Sequence, residues 1–188
     1  MKKIFILSVL LTLAFGYAHG KDMKDLITHR DKNYKYSISY PRSWASVTTT
    51  HEATRFKIVS NNGKGEDDFS INVRYVDELK KETPKEFVDI FKANLNESTQ
   101  SFKKTLLNFK IIQHDKTFIS NQEAYYLIAT FIYRSMGFEI PMKMIQVHTA
   151  SKGFLYVVTA RTTQDRFDSM LPTYKVMMTG FVIHPTVD

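Results

Sequence analysis

The tightest constraint in this sequence lies between Phe109 and Thr163. Four strand-like segments, residues 109–118, 124–134, 138–149 and 154–163, follow one another with only Asn121-Gln122, Ser135-Met136-Gly137 and Ser151-Lys152-Gly153 as turn-forming breaks. Parallel neighbours need a crossover of about a dozen residues or more, so breaks this short force each strand to lie antiparallel beside the one before. Residues 124–131 are apolar at both odd and even positions, as expected of a central strand covered on both faces.

Upstream, Tyr34, Tyr36, Ile38 and Tyr40 alternate with Lys35, Ser37 and Ser39, the period of a half-buried strand. Pro41 ends that strand because it has no ladder donor, and the turn that follows sets down Trp44. Residues 55–60 and 69–76 read as the two arms of a hairpin, joined by the polar stretch 61–68. Thr83-Pro84-Lys85-Glu86 then carries a capping threonine, a first-turn proline and a glutamate three residues past the cap. Phe87, Phe91, Leu95, Ser98, Phe102 and Leu106 continue from it as one helical stripe, which predicts one long helix packed on a sheet. A second helix is expected over 164–178, with Phe167, Leu171, Tyr174 and Met178 inward and a kink or restart at Pro172. A last short strand is expected at 181–184. The order βββ-α-ββββ-α describes an α+β chain, a mainly antiparallel central sheet flanked by helices.

The N-terminus reads as an export signal. Lys2 and Lys3 precede an apolar run over 4–15 interrupted only by Ser8 and Thr12, and Ala18 and Gly20 suit signal peptidase. The run is too short to stay in a bilayer as a spanning helix. The expected layout is a signal peptide at 1–20, a polar leader at 21–33 and a single domain at 34–188, in a periplasmic or secreted protein. The chain has no cysteine, which excludes disulfides, a thiolate nucleophile, zinc–thiolate sites and lipid attachment at the signal junction. Its formal charge of +7 is spread over scattered pairs such as Lys80-Lys81 and Lys103-Lys104. Nucleic acid is therefore a poor partner, and the scattered lysines read as a solvated surface, with attraction to lipid headgroups or a polyanionic glycan as the physical alternative.

Signs of chemistry are sparse. His29, His51, His114, His148 and His184 form no tight metal spacing. Glu123, Glu139, Asp165 and Asp168 include no pair that the spacing singles out for acid–base work. The acidic stretch 61–68 lacks the twelve-residue calcium pattern and reads as a solvated hairpin tip. No catalytic, cofactor or metal residue is assigned. A ligand or partner patch is placed at Tyr40, Trp44 and His148, the last on a face shared with Met142, Met144 and Gln146; for Trp44 the closing of one end of the core is the preferred reading.

Several junctions carry a resemblance: 36–44 (YSISYPRSW), 122–126 (QEAYY), 153–160 (GFLYVVTA), and the closing helix from Phe167 through Pro172 to Gly180-Phe181. Together they resemble the PsbP-like and Mog1-like superfamily, in its exported bacterial branch. The resemblance implies an α-β-α sandwich used as an accessory or binding module. Lipoprotein members of that branch carry a cysteine that is absent here. The expected function is thus an exported, non-enzymatic accessory or binding protein of the cell envelope or secreted fraction, with a protein or envelope component as partner. The alternatives are a small-ligand or metal carrier, or a hydrolase acting on cell-wall or host material.

Overall fold

The computed structural model describes residues 25–63 and 67–184. The expected signal peptide at 1–20 lies outside the described residues.

A seven-stranded sheet forms the centre. Its order is β3 (Ala45–Ser46), β4 (Thr54–Val59), β5 (Asp68–Tyr75), β9 (Phe154–Thr163), β8 (Phe138–Ser151), β7 (Gln122–Ser135) and β6 (Leu107–Ile119). Every neighbouring pair is antiparallel. A smaller sheet places β2 (Tyr36–Pro41) between β1 (Leu26–Asp31) and β10 (Val182–Ile183). A one-turn helix, α1 (Ser60–Gly63), follows β4, and helices α2 (Pro84–Ala93) and α3 (Leu95–Thr105) cover one face of the large sheet over β6, β7 and β8. Helix α4 (Phe167–Thr179) and the small sheet cover the other. The chain is therefore an α+β sandwich, as its sequence pattern predicts.

The main core lies between the large sheet and α4. Tyr36 and Ile38 of β2 meet Ile58, Phe69, Ile71, Val158 and Tyr174 there, all fully buried. Tyr174 donates to the Arg161 carbonyl at 2.7 Å and Tyr156 to the Tyr34 carbonyl at 2.9 Å, so two buried phenols close the layer with satisfied protons. Burial pushes both phenols above the usual tyrosine range.

Three hairpin turns fix the register of β6 through β9. Ser120-Asn121, Met136-Gly137 and Lys152-Gly153 each supply two residues with positive φ, between 48° and 84°. That is the type I′ geometry, whose twist matches the strands it joins.

Four local expectations are corrected. Residues 21–33 are not simply a leader: β1 lies within them, pairing with β2 from Leu26↔Pro41 to Asp31↔Tyr36. This edge strand buries little, so its sequence has no apolar alternation to read. The single long helix is two, divided at Asn94. The Asn94 side chain and its backbone N–H both donate to the Ile90 carbonyl at 3.0 Å, a doubled cap on α2 with Asn94 outside the helical region at φ −98°, ψ 14°. Helix α4 runs unbroken through Pro172, which sits on its exposed side, and Met177 rather than Met178 is its fully buried residue.

The fourth correction concerns Asp67 and Asp68, expected at a solvated tip. Both are buried. Asp67 accepts from Ser60 Oγ at 2.7 Å, Thr162 Oγ1 at 2.6 Å and Arg166 Nη2 at 2.8 Å. Asp68 accepts from Arg161 Nε at 2.6 Å and lies 3.4 Å from Lys57 Nζ. Cations and hydroxyls from three other elements replace the water these carboxylates would otherwise require.

Candidate functional site

The α2/α3 face of the large sheet changes character from one side to the other, and the rows across the strands show where. One row runs Lys57, Ser70, Thr159, Gln146, Leu127 over β4, β5, β9, β8 and β7. The next reads Thr54, Asn72, Val157, His148, Tyr125, and a third Val59, Asp68, Arg161, Met144, Ala129. The first two are polar on both β4 and β5, the third sets Val59 beside Asp68, and all three become apolar toward β7, where α2 and α3 lie over it.

The polar half is left open as a groove of about 450 Å³. The loop carrying Thr48, Thr49, Thr50 and His51 forms one wall; Leu106, Phe131 and Met144 form the other. Ser70, Asn72, Gln146 and Thr159 make the floor, with Lys57 and Arg161 at its charged part. Thr54 donates to Asn72 Oδ1 at 2.6 Å, and Gln146 Nε2 to Thr159 Oγ1 at 3.1 Å. Gln146 is buried, and its Oε1 has no hydrogen-bond partner. Arg161 and Lys57 are both turned to Asp68, so two cations share one carboxylate and the polar floor keeps a net positive charge. Such a surface offers hydroxyl and amide groups beside a surplus positive charge.

The sequence-predicted patch does not assemble. Tyr40 and Trp44 are buried in the core on the α4 side, Tyr40 against Phe56 and Trp44 edge-on to Tyr174 at 6.3 Å. His148 is buried on the opposite face of the sheet, beneath Phe91 at a centroid distance of 4.4 Å. Aromatic bulk is worth more inside than at a rim, and both apolar layers claim it. Burial pushes the His148 imidazole down to about 3, so it is neutral at physiological pH. Among the described residues no group of three or more His, Asp and Glu side chains is placed to hold a metal ion. Glu139 pairs with Arg134 and Asp168 with Lys143 at separate exposed positions.

Sequence reasoning overlooked Lys57, Ser70, Asn72, Thr159 and Arg161. A signal was present: Ser70 and Asn72 alternate with Phe69, Ile71 and Val73, and Thr159 and Arg161 with Val158 and Ala160. Two polar strand faces set side by side in the middle of a sheet mark an uncovered surface.

The PsbP family model matches residues 24–183. The chain belongs to the PsbP family. Among solved structures, this PsbP-family chain is similar to the cyanobacterial PsbP (CyanoP) of Synechocystis sp. PCC 6803, at 15% identity and TM-score 0.60, covering 90% of this chain and 99% of that one. It is similar to LpqN of Mycobacterium tuberculosis, described as involved in cell envelope biogenesis, at 16% identity and TM-score 0.52, covering 80% and 83%. It is also similar to the Ran-binding protein Mog1p of Saccharomyces cerevisiae, at 9% identity and TM-score 0.51, covering 86% and 97%. At these identities the likeness is one of fold. No curated protein matches by sequence. Within the PsbP-family frame, the groove occupies the part of the sheet that α2 and α3 leave bare. Among the described residues no helix is long and apolar enough to cross a membrane.

Proposed function

We propose that this PsbP-family chain is an exported, non-enzymatic accessory protein of the cell envelope or secreted fraction that works by binding a partner. The observation that carries the reading is the groove: its lysine and arginine share Asp68, and hydroxyl and amide groups line the floor beside them. A polar groove with two cations oriented by one carboxylate supports a recognition role. The export signal read at 1–20 supports the compartment. The description of LpqN as an envelope-biogenesis protein and of Mog1p as a Ran-binding protein supports the class of role.

The test is crosslinking in the native cell, followed by affinity capture and mass spectrometry, with N-terminal sequencing of the captured protein. A single partner at near-stoichiometric yield and an N-terminus at Lys21 are expected. A full-length N-terminus in the cytoplasmic fraction would overturn the export reading, and turnover of a substrate by the isolated protein would overturn the non-enzymatic one. A second reading, a small-ligand carrier, is favoured by the buried Gln146 Oε1 without a donor. It predicts a ligand-dependent rise in Tm.

A further inference from the structure

The β7–β8 hairpin extends beyond the sheet that supports it. The β9 ladder on β8 ends at Met142↔Thr163, and the β6 ladder on β7 begins at Leu107↔Ile132. Tyr133, Arg134 and Ser135 therefore pair only with Ile140, Glu139 and Phe138, as a two-stranded ribbon projecting from the sheet. Its end is apolar. Met136 is 96% exposed, Phe138 71% and Tyr133 50%.

The turn residue makes this pattern unusual. The equivalent positions of the other two type I′ turns hold polar residues: Ser120, whose Oγ accepts from the Ile183 N–H at 2.7 Å, and the exposed Lys152. Met136 takes the same left-handed conformation, at φ 48°, which an unbranched apolar side chain gains nothing by adopting. A long apolar group is held almost fully exposed at the tip of the hairpin against local preference, which points to a functional position.

We propose that this tip is a membrane-surface anchor: Met136 and Phe138 enter the acyl region of an anionic bilayer, with Tyr133 at headgroup level. Three large side chains on a convex ribbon are too few for a stable protein interface, which buries about 800 Å² per partner, but they suit a shallow wedge in lipid. Tyrosine just behind the apolar apex matches the interfacial preference of that ring. Charge complementarity names the lipid. Lys103 and Lys104 stand exposed in the last turn of α3, and Lys110 is exposed near the start of β6, all at the end of the sheet from which the ribbon projects. The acids nearby are largely held: Glu139 by Arg134 at 2.6 Å and Asp168 by Lys143 at 3.4 Å, leaving Asp165 at the approach to α4. Basic residues in this position draw the tip to phosphatidylglycerol-type headgroups.

The test is co-sedimentation of the purified protein with vesicles of phosphatidylglycerol and phosphatidylcholine, and with phosphatidylcholine alone. Binding is expected on the anionic vesicles and weaker on the neutral ones. The double variant Met136→Asn with Phe138→Thr should lose roughly tenfold or more in partitioning with an unchanged or higher Tm, since Asn prefers this turn position. Replacing Lys103, Lys104 and Lys110 by Gln should remove the preference for anionic vesicles. Wild-type protein that stays in solution with both vesicle types would overturn the proposal, as would a tip variant that sediments equally well. Loss of a captured envelope protein in the tip variant, with no vesicle binding by wild type, would reassign the tip to protein docking.

Discussion

Phe91 of α2 lies over His148 of β8, ring centroids 4.4 Å apart and planes inclined by 34°. The contact bridges helix and sheet at the boundary between the covered and open halves of the face. It also removes the imidazole from water, leaving its Nε2 without a partner.

A pH dependence follows. The folded-state pKa of His148 is lowered from 6.5 to about 3 by burial. Between those values the unfolded chain holds a proton that the folded chain does not, so the histidine's contribution to stability is complete above pH 6.5 and is lost as pH falls toward 3. The slope is about 1.4 kcal/mol per pH unit within that window. Urea titrations at pH 7 and pH 5 should show His148→Leu losing less stability than wild type between the two. Identical losses would assign the acid sensitivity to other groups.

The buried carboxylate network gives a second expectation. Asp67→Ala strands the Thr162 and Ser60 hydroxyls and removes the carboxylate that Arg166 binds. The expected cost is about 3 kcal/mol, with Asp67→Asn milder because its amide oxygen still accepts. Chemical denaturation with an unchanged m-value would measure it.

Two glycines in equivalent turns should respond differently. A Cβ at Gly137 meets nothing within 4 Å, so Gly137→Ala bears only the strain of φ +83°, about 1 kcal/mol. A Cβ at Gly153 falls 2.7 Å from Tyr75 Cε2, and that ring packs on Phe154 at 5.4 Å. Gly153→Ala should therefore cost about 1 kcal/mol more, as the ring gives way. Equal melting temperatures for the two variants would refute the difference.

The entry to α2 offers a local test. Thr83 Oγ1 accepts from the Glu86 amide at 3.2 Å while Glu86 Oε2 accepts from the Thr83 amide at 2.7 Å, a reciprocal cap that holds the Glu86 carboxyl below its usual range. Thr83→Ala should cost about 1 kcal/mol in thermal unfolding.

What the sequence discloses is what depends on neighbours along the chain. The strands of the meander, their antiparallel pairing and the cap at Thr83 are legible because alternation, turn residues and capping pairs act within a few positions. The division at Asn94 is hidden because the stripe Phe91, Leu95, Ser98, Phe102 keeps its period across it. Asp67 and Asp68 look solvated because Arg161, Thr162 and Arg166, which enclose them, lie far along the chain. The groove is hidden for the same reason, since β4, β5, β8 and β9 each contribute a row of it. His148 was picked out by residue type, but only packing against Phe91 shows that it is shielded.

Strand β2 draws its two neighbours from opposite ends of the described chain: β1 from just before it, β10 from the final described residues. Ser39 N–H donates to the Gly180 carbonyl at 3.2 Å and His184 N–H to the Lys35 carbonyl at 2.7 Å, so the closure spans nearly the whole sequence. A chain that emerges amino end first can form its hairpins as they appear, but it must carry an open β2 edge until Phe181–Ile183 arrives. Completion of the small sheet is thus a late step that reports on the integrity of the carboxyl end. A molecule cut short before Phe181 would expose that edge, and with it a template for pairing with another chain.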